Sequence, residues 1–417
     1  MAKPEGDNEF KNPLSSGASN ISARVSVSRG DMVPAVHFNL WSALGIQYSL
    51  TAAPLALGLY LSLVIGLDGP PVFIRGFLFV GIMQLPVCLA MAELASALPN
   101  SSGPSYWSAK LAPPKAARFI GYRMGCLTMA AWIFILSSTL LYLAQVTMAL
   151  AAALNPGFAA ARWHVYLVIT RRPLFPTIAL INATSIYLIA VIFVRANPKQ
   201  SAETIFFHFV NESGWSSNGI VFFIGWMPAM SILSLFDNAT HIIDELDKPT
   251  KQVPQVMIGS YTLSFVTDFP VCILYKWCNV NPEALLAPVG GQPIVQLLLD
   301  TCDSKALLTI SIVSFLVCFS MVGNAVLISS SRLYWSLSTQ GMLPFSKWCS
   351  KQSSTDRLPI NALLLTTALT LFLGAISLGS TTAMNAIMNA SGVCYGLRDC
   401  AGLTTVYWYG RVRNLLG

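Results

Sequence analysis

The chain has 417 residues, 54% of them hydrophobic and only 10% charged, with a mean hydropathy of +0.60. A soluble domain carries about 25% charged residues, so this composition excludes an ordinary soluble protein and points to a polytopic membrane protein. The formal charge of +7 does not mark a nucleic-acid binder, because the basic residues fall between apolar runs rather than in one patch.

Residues 1–37 are polar and Ser-rich without an apolar leader, and read as a disordered cytoplasmic tail. A crossing needs about 20 apolar residues. The first expected span runs from Phe38 to Leu67 and is interrupted at Pro54; the second, Val72–Leu98, carries Glu93 near its end. A basic loop with Lys110, Lys115 and Arg118 precedes the third span, Gly121–Leu154. Phe158–Thr170 is too short to cross, whereas Leu174–Val194 is long enough. The polar loop 195–217 holds the sequon Asn211-Glu212-Ser213. A broken span begins at Ile220, and others follow at Met257–Trp277, Ala306–Ser329, Ile360–Leu378 and Thr381–Leu397, before a short tail at 411–417.

With the N-terminus inside and two crossings between 158 and 194, inner-loop Lys and Arg outnumber outer-loop ones by about two to one. That favours a cytoplasmic N-terminus and an extracellular Asn211, where a glycan could attach. The nine cysteines form no CxxC pair, and Cys88, Cys126, Cys272 and Cys318 read as small hydrophobes within apolar runs. Neither HExxH nor GxSxG occurs, and His37, His164, His208 and His241 are scattered. An intramembrane enzyme, a metal site and a cofactor site are therefore not expected.

Two spans are interrupted in their interiors. The first breaks at Leu50-Thr51-Ala52-Ala53-Pro54 and the sixth at Phe236-Asp237-Asn238-Ala239-Thr240. Proline removes a helix hydrogen bond, and Asp and Asn compete for backbone groups. Counting ten spans, the breaks open two five-helix halves, 38–194 and 218–410. Paired interruptions at corresponding positions are a pointer to an inverted-repeat transporter, whose freed backbone groups bind substrate near the midplane. The expected fold is thus an all-α 5+5 inverted repeat of the leucine-transporter type. The expected substrate contacts are Leu50, Thr51, Ala52, Ala53, Phe236, Asp237, Asn238 and Ala239.

The stretch GWMPAMSILSLFDNATHIIDELDKPTKQVPQVMIGS resembles the sixth helix and following loop of the fungal amino acid/choline/GABA permeases of the amino acid–polyamine–organocation superfamily. Their D-x-x-x-H-x-x-E-E pattern appears here as Asp237, His241 and Asp244-Glu245. AELASALPNSSGPSYWSAKLAP, SAETIFFHFVNESGW, SSSRLYWSLSTQGMLPFSKW and LPINALLL are similar to other parts of that family. The chain departs from it at Ala53-Pro54, in a short fourth helix near 168–173, and in lacking an eleventh and a twelfth helix. The resemblance implies a plasma-membrane secondary transporter for an amino acid, GABA, choline or a related amine, with a proton as coupling ion. The alternative is a shortened, non-transporting or regulatory relative.

Several residues keep two readings. Asp237 either engages a cationic group or caps the second half-helix with its carboxylate. His241 either titrates during coupling or makes a structural hydrogen bond. Asp244 and Glu245 either gate the inner side against Arg123 or Arg332, or form a solvated loop. Asp268, in the middle of the seventh span, is either functional, with Lys276 as a partner two turns on, or a sign of relaxed selection. Trp132 and the pair Tyr106-Trp107 either line the path or anchor at the interface.

Overall fold

Apolar runs without glycine or proline breakers fold as helices, because a bilayer supplies no water to unsatisfied peptide groups. The computed structural model describes residues 39–51, 53–64, 70–155, 157–158, 164, 178–208, 211, 214–243, 246–343, 345–353 and 359–405. Within these the chain is helical, and 6 helices are long and apolar enough to cross a membrane.

The first crossing comprises α1 (Leu40–Thr51) and α2 (Ala53–Val64). Its expected break centres on residue 52, which lies outside the described residues. Next come α3 (Pro70–Ala97), the short α4 (Pro104–Leu111) and α5 (Ala117–Leu154). The short fourth span falls almost wholly outside the described residues. The fifth crossing is α6 (Ile178–Arg195), followed by a loop helix, α7 (Ala202–Phe206). The sixth crossing is divided into α8 (Asn218–Ile224), α9 (Met227–Leu233), a 3-10 segment Ser234–Asp237, and α10 (Asn238–His241). The chain continues through α11 (Pro249–Trp277), the loop helices α12 (Pro282–Leu286) and α13 (Pro293–Thr301), and α14 (Lys305–Thr339). It ends with α15 (Ser346–Cys349), α16 (Ile360–Gly379) and α17 (Thr381–Thr405).

Two boundaries differ from expectation for local reasons. α14 runs well past Ser329, because no breaker occurs before Gly341, whose φ of 69° ends the helix. α11 begins at Pro249 rather than Met257, because proline is tolerated at the first helical position, where its missing N–H has no partner to lose.

The sixth crossing also breaks differently from the sequence expectation. Its first interruption is a turn at Gly225-Trp226. Gly225 packs so closely on α3 that an added Cβ would overlap Val72. The expected unwound joint at 236–240 is instead a tightening into 3-10 helix, with right-handed backbone angles from Leu233 (φ −77°) to Asn238 (φ −56°). Gln47 of α1 explains why unwinding is not needed there. Its Nε2 donates to the Leu235 carbonyl at 2.8 Å, and its Oε1 accepts from Asn238 Nδ2 at 3.0 Å. One side chain thus bridges the Leu235 carbonyl and the Asn238 amide across the 3-10 turn.

Helix packing brings crossings far apart in the chain together. α3 lies along α11, and α5 packs against both α14 and α17. α9 sits among α2, α3 and α17, while α1 lies against α11. These contacts enclose the middle of the first and sixth crossings.

Candidate functional site

At the centre of the bundle is a cavity with about 480 Å³ of empty space, its open side included. Its walls come from four crossings: Leu50, Thr51, Leu59 and Tyr60 of the first, Ile135, Ser138, Thr139 and Tyr142 of the third, Ser231, Ile232 and Leu235 of the sixth, and Phe319, Val322 and Val326 of the eighth. None of these carries a formal charge. The polar groups are six hydroxyls, from Thr51, Tyr60, Ser138, Thr139, Tyr142 and Ser231.

Local helical geometry orients several of these hydroxyls. Thr139 donates to the Ile135 carbonyl at 2.8 Å, and Ser138 donates to Phe134 at 2.7 Å, one turn back on α5. Thr51 donates to the Tyr48 carbonyl at 2.7 Å. With their protons engaged, these oxygens present lone pairs as acceptors. The rings of Tyr60 and Tyr142 meet edge to face at 5.7 Å, and Phe319 stacks on Phe315 at 5.7 Å. Aromatic faces and acceptor oxygens together suit a small cation or the ammonium end of a zwitterion.

Beside the cavity lies a second, charged feature. Asp237 Oδ2 is paired with Arg398 of α17, and both side chains are fully buried. Arg398 also holds Asp399 Oδ1, through Nε at 2.8 Å and Nη2 at 2.7 Å. Gln84 of α3 then donates to Asp399 Oδ2 at 3.0 Å and to Ser234 Oγ at 3.1 Å. The guanidinium stacks over the Tyr395 ring at 4.3 Å. His241 closes the group, with Nδ1 at 2.9 Å from the Ser101 carbonyl, Nε2 at 3.9 Å from Asp237, and its ring edge-on to Trp132 at 5.4 Å. The cluster ties the sixth crossing to the second and tenth.

The expected site residues therefore divide. Leu50 and Thr51 line the cavity. Ala52, Asp244 and Glu245 lie outside the described residues, and the side chain of Ala53 is likewise undescribed. Phe236, Asp237, Asn238 and Ala239 are buried, but the cavity is lined one turn earlier, by Ser231, Ile232 and Leu235. The 3-10 turn is the reason: because the backbone stays helical, residues 236–239 face neighbouring helices instead of the opening. Phe236 packs on Tyr261 at 6.0 Å, and Asn238 meets Gln47.

Asp237 engages a cation, but an internal one, and it makes no capping hydrogen bond to α10. Arg123 lies over the Phe119 ring at 5.6 Å. Trp132 and Trp107 are both buried; Trp107 donates to the Leu98 carbonyl at 2.8 Å. Sequence reasoning missed Arg398, Asp399, Gln84 and Gln47. The available signal was the Arg-Asp dipeptide inside an apolar run, since charges within a span face partners inside the bundle. Gln47 and Gln84 carried no comparable signal.

The sequence profile described as amino acid permease matches residues 38–398. The choline transporter of Saccharomyces cerevisiae is 28% identical over 84% of this chain and 65% of its own length. The swainsonine transporter of Arthroderma benhamiae is 28% identical over 75% of this chain and 65% of its own. The chain thus spans just under two thirds of the length of these relatives. A solved nucleobase–cation symport-1 family transporter, in a closed conformation with bromovinylhydantoin bound, aligns over 86% of this chain and 76% of its own at 10% identity, with a TM-score of 0.49. The family assignment rests on the sequence match, which covers most of the chain and includes both the cavity-lining helices and Arg398. On that ground this multi-pass membrane protein belongs to the amino acid permease family, and the curated fungal relatives it matches are named as transporters and permeases.

Proposed function

We propose that the chain forms the substrate-binding core of a secondary transporter for a small amine or amino acid, with choline the first cargo to test. The observation that carries this reading is the uncharged, hydroxyl- and aromatic-lined cavity between the first, third, sixth and eighth crossings. The faces of Tyr60, Tyr142 and Phe319 receive the cationic end, and Thr51, Ser138, Thr139 and Ser231 offer acceptors. The sixth-crossing contacts are Ser231–Leu235, with Leu50 and Thr51 opposite. The relatives named for choline and swainsonine support a nitrogenous cargo.

Rocking of the first and sixth crossings against the rest would open the cavity to each side in turn. A proton as coupling ion, residence in the plasma membrane and a cytoplasmic N-terminus complete the proposal. The test is uptake of labelled choline, GABA and amino acids by a transport-deficient yeast with the chain at its surface, with and without a protonophore. Protonophore-sensitive uptake that is lost in Tyr60→Ala supports the reading. Surface delivery without uptake of any of them would favour a regulatory relative.

A further inference from the structure

Asp268 takes no part in the cavity or in the charged cluster, yet it is fully buried in the middle of α11. It belongs to a stripe of buried residues, Tyr261, Ser264, Asp268, Cys272 and Tyr275, spaced to share one helix face. This side of α11 is joined to the first crossing by three contacts. Tyr48 OH donates to Thr267 Oγ1 at 3.0 Å, Thr51 Oγ1 and Ser264 Oγ lie 3.4 Å apart, and Tyr275 OH donates to the Pro54 carbonyl at 2.8 Å. Thr267 Oγ1 stands 3.2 Å from Asp268 Oδ1. Asp268 Oδ2 has no partner among the described residues.

Among the described residues no cation reaches this carboxyl. Lys276, two turns along α11, holds its ammonium over the Phe73 ring at 5.5 Å instead. The titratable groups facing Asp268 are Tyr48 from the first crossing, and Cys272 and Tyr275 from its own helix. Cys88 of α3 lies towards the other end of α11, beside the Met257 carbonyl, and Arg195 of α6 is paired with Asp303. A buried carboxylate with no countercharge is strongly disfavoured, and a proton removes the charge at once. Thr51 and Ser264 continue the line of hydroxyls to the cavity wall, which Thr51 itself lines.

We infer that Asp268 is the proton-exchange site of the transport cycle; the inference rests on the transport reading above. In the closed seam between α1 and α11 the carboxyl holds a proton on Oδ2. When the first crossing tilts, hydronium on one side gives its proton to Oδ2 and becomes water. On the opposite side the O–H bond breaks, and the proton returns to water. The hydroxyls of Tyr48 and Thr267 orient the carboxyl and take no net proton.

Two measurements on the purified, reconstituted chain test this. Infrared difference spectra across a pH titration are expected to show the carbonyl stretch of a protonated carboxyl that is lost in Asp268→Asn. A band unchanged in that variant overturns the inference. Should Asp268→Asn fail to fold, Thr267→Val is expected to shift the same band, and an unshifted band overturns the inference equally. In vesicles loaded with a pH-sensitive dye, an imposed choline gradient is expected to move protons with the wild-type chain. Asp268→Asn loses that proton movement while choline-for-choline exchange persists; proton movement equal to wild type overturns the inference. Wild-type vesicles that exchange no choline would count against the transport reading, whereas the infrared band reports on Asp268 independently of transport.

Discussion

The cavity and the charged cluster lie side by side on the sixth crossing and solve opposite problems. The cavity, lined from Ser231 to Leu235, carries hydroxyls and rings and no charge. The cluster, beginning at Asp237, places one arginine between two carboxylates in a fully buried setting. A carboxylate exposed to the cavity would bind a cation tightly and release it slowly. Pairing Asp237 with Arg398 withdraws that charge from the cavity and uses it to join three crossings. In the transport cycle proposed above, rings and hydroxyls would then hold the cargo weakly enough for turnover.

The sharpest way to break this comparison is to remove the arginine. Arg398→Gln leaves two carboxylates buried near each other, and breaking a buried pair costs about 3–5 kcal/mol. Thermal unfolding in detergent is expected to show that loss, and a smaller one for Asp237→Asn, which leaves Arg398 paired with Asp399. Wild-type unfolding of Arg398→Gln would show that the cluster does not hold the crossings together.

Overpacking tests the neighbouring turn. Gly225→Ala forces a Cβ into Val72, and such overpacking typically costs about 1–3 kcal/mol. The same unfolding assay reads it, and Val72→Ala on top of it is expected to recover part of the loss.

The cavity predicts an effect on binding rather than on stability. Exchanging the ring of Tyr60 for leucine removes the cation–π contact proposed for the cargo, worth about 0.5–2 kcal/mol, whereas Tyr60→Phe keeps the face. Choline binding, measured by scintillation proximity on purified protein, is expected to weaken in Tyr60→Leu and much less in Tyr60→Phe. Equal losses would mean that the hydroxyl, not the ring, holds the cargo.

The smallest effect belongs to a pair of similar length in another setting. Arg195 and Asp303 lie 2.6 Å apart, but their side chains are 49% and 75% exposed. Such pairs contribute about 0–1 kcal/mol and are screened by salt. Arg195→Ala is expected to change unfolding by no more than that, and less at high ionic strength.

Much of the framework was legible in the sequence. Apolar runs fixed the long crossings, since hydrocarbon demands helices of a set length. Leu50 and Thr51, expected beside the interruption that Pro54 marks, line the cavity. The position of the cavity within the sixth crossing was not legible. Asp237-Asn238 announced polar groups in a span, but whether the backbone opens there depended on Gln47, which lies 188 residues from Leu235 and 191 from Asn238. A lone glutamine in an apolar run names no partner.

The sequence by itself determined an all-helical membrane chain, its family and the irregularity of its sixth crossing, because hydropathy and helix breakers act locally. Only the tertiary structure decided that Asp237 faces Arg398, that Gln47 bridges Leu235 and Asn238, and that Asp268 lies at the seam with the first crossing without a cation among the described residues. Each of these is a choice of partner between helices far apart in the chain, and residue type constrains which groups need partners but not where they find them.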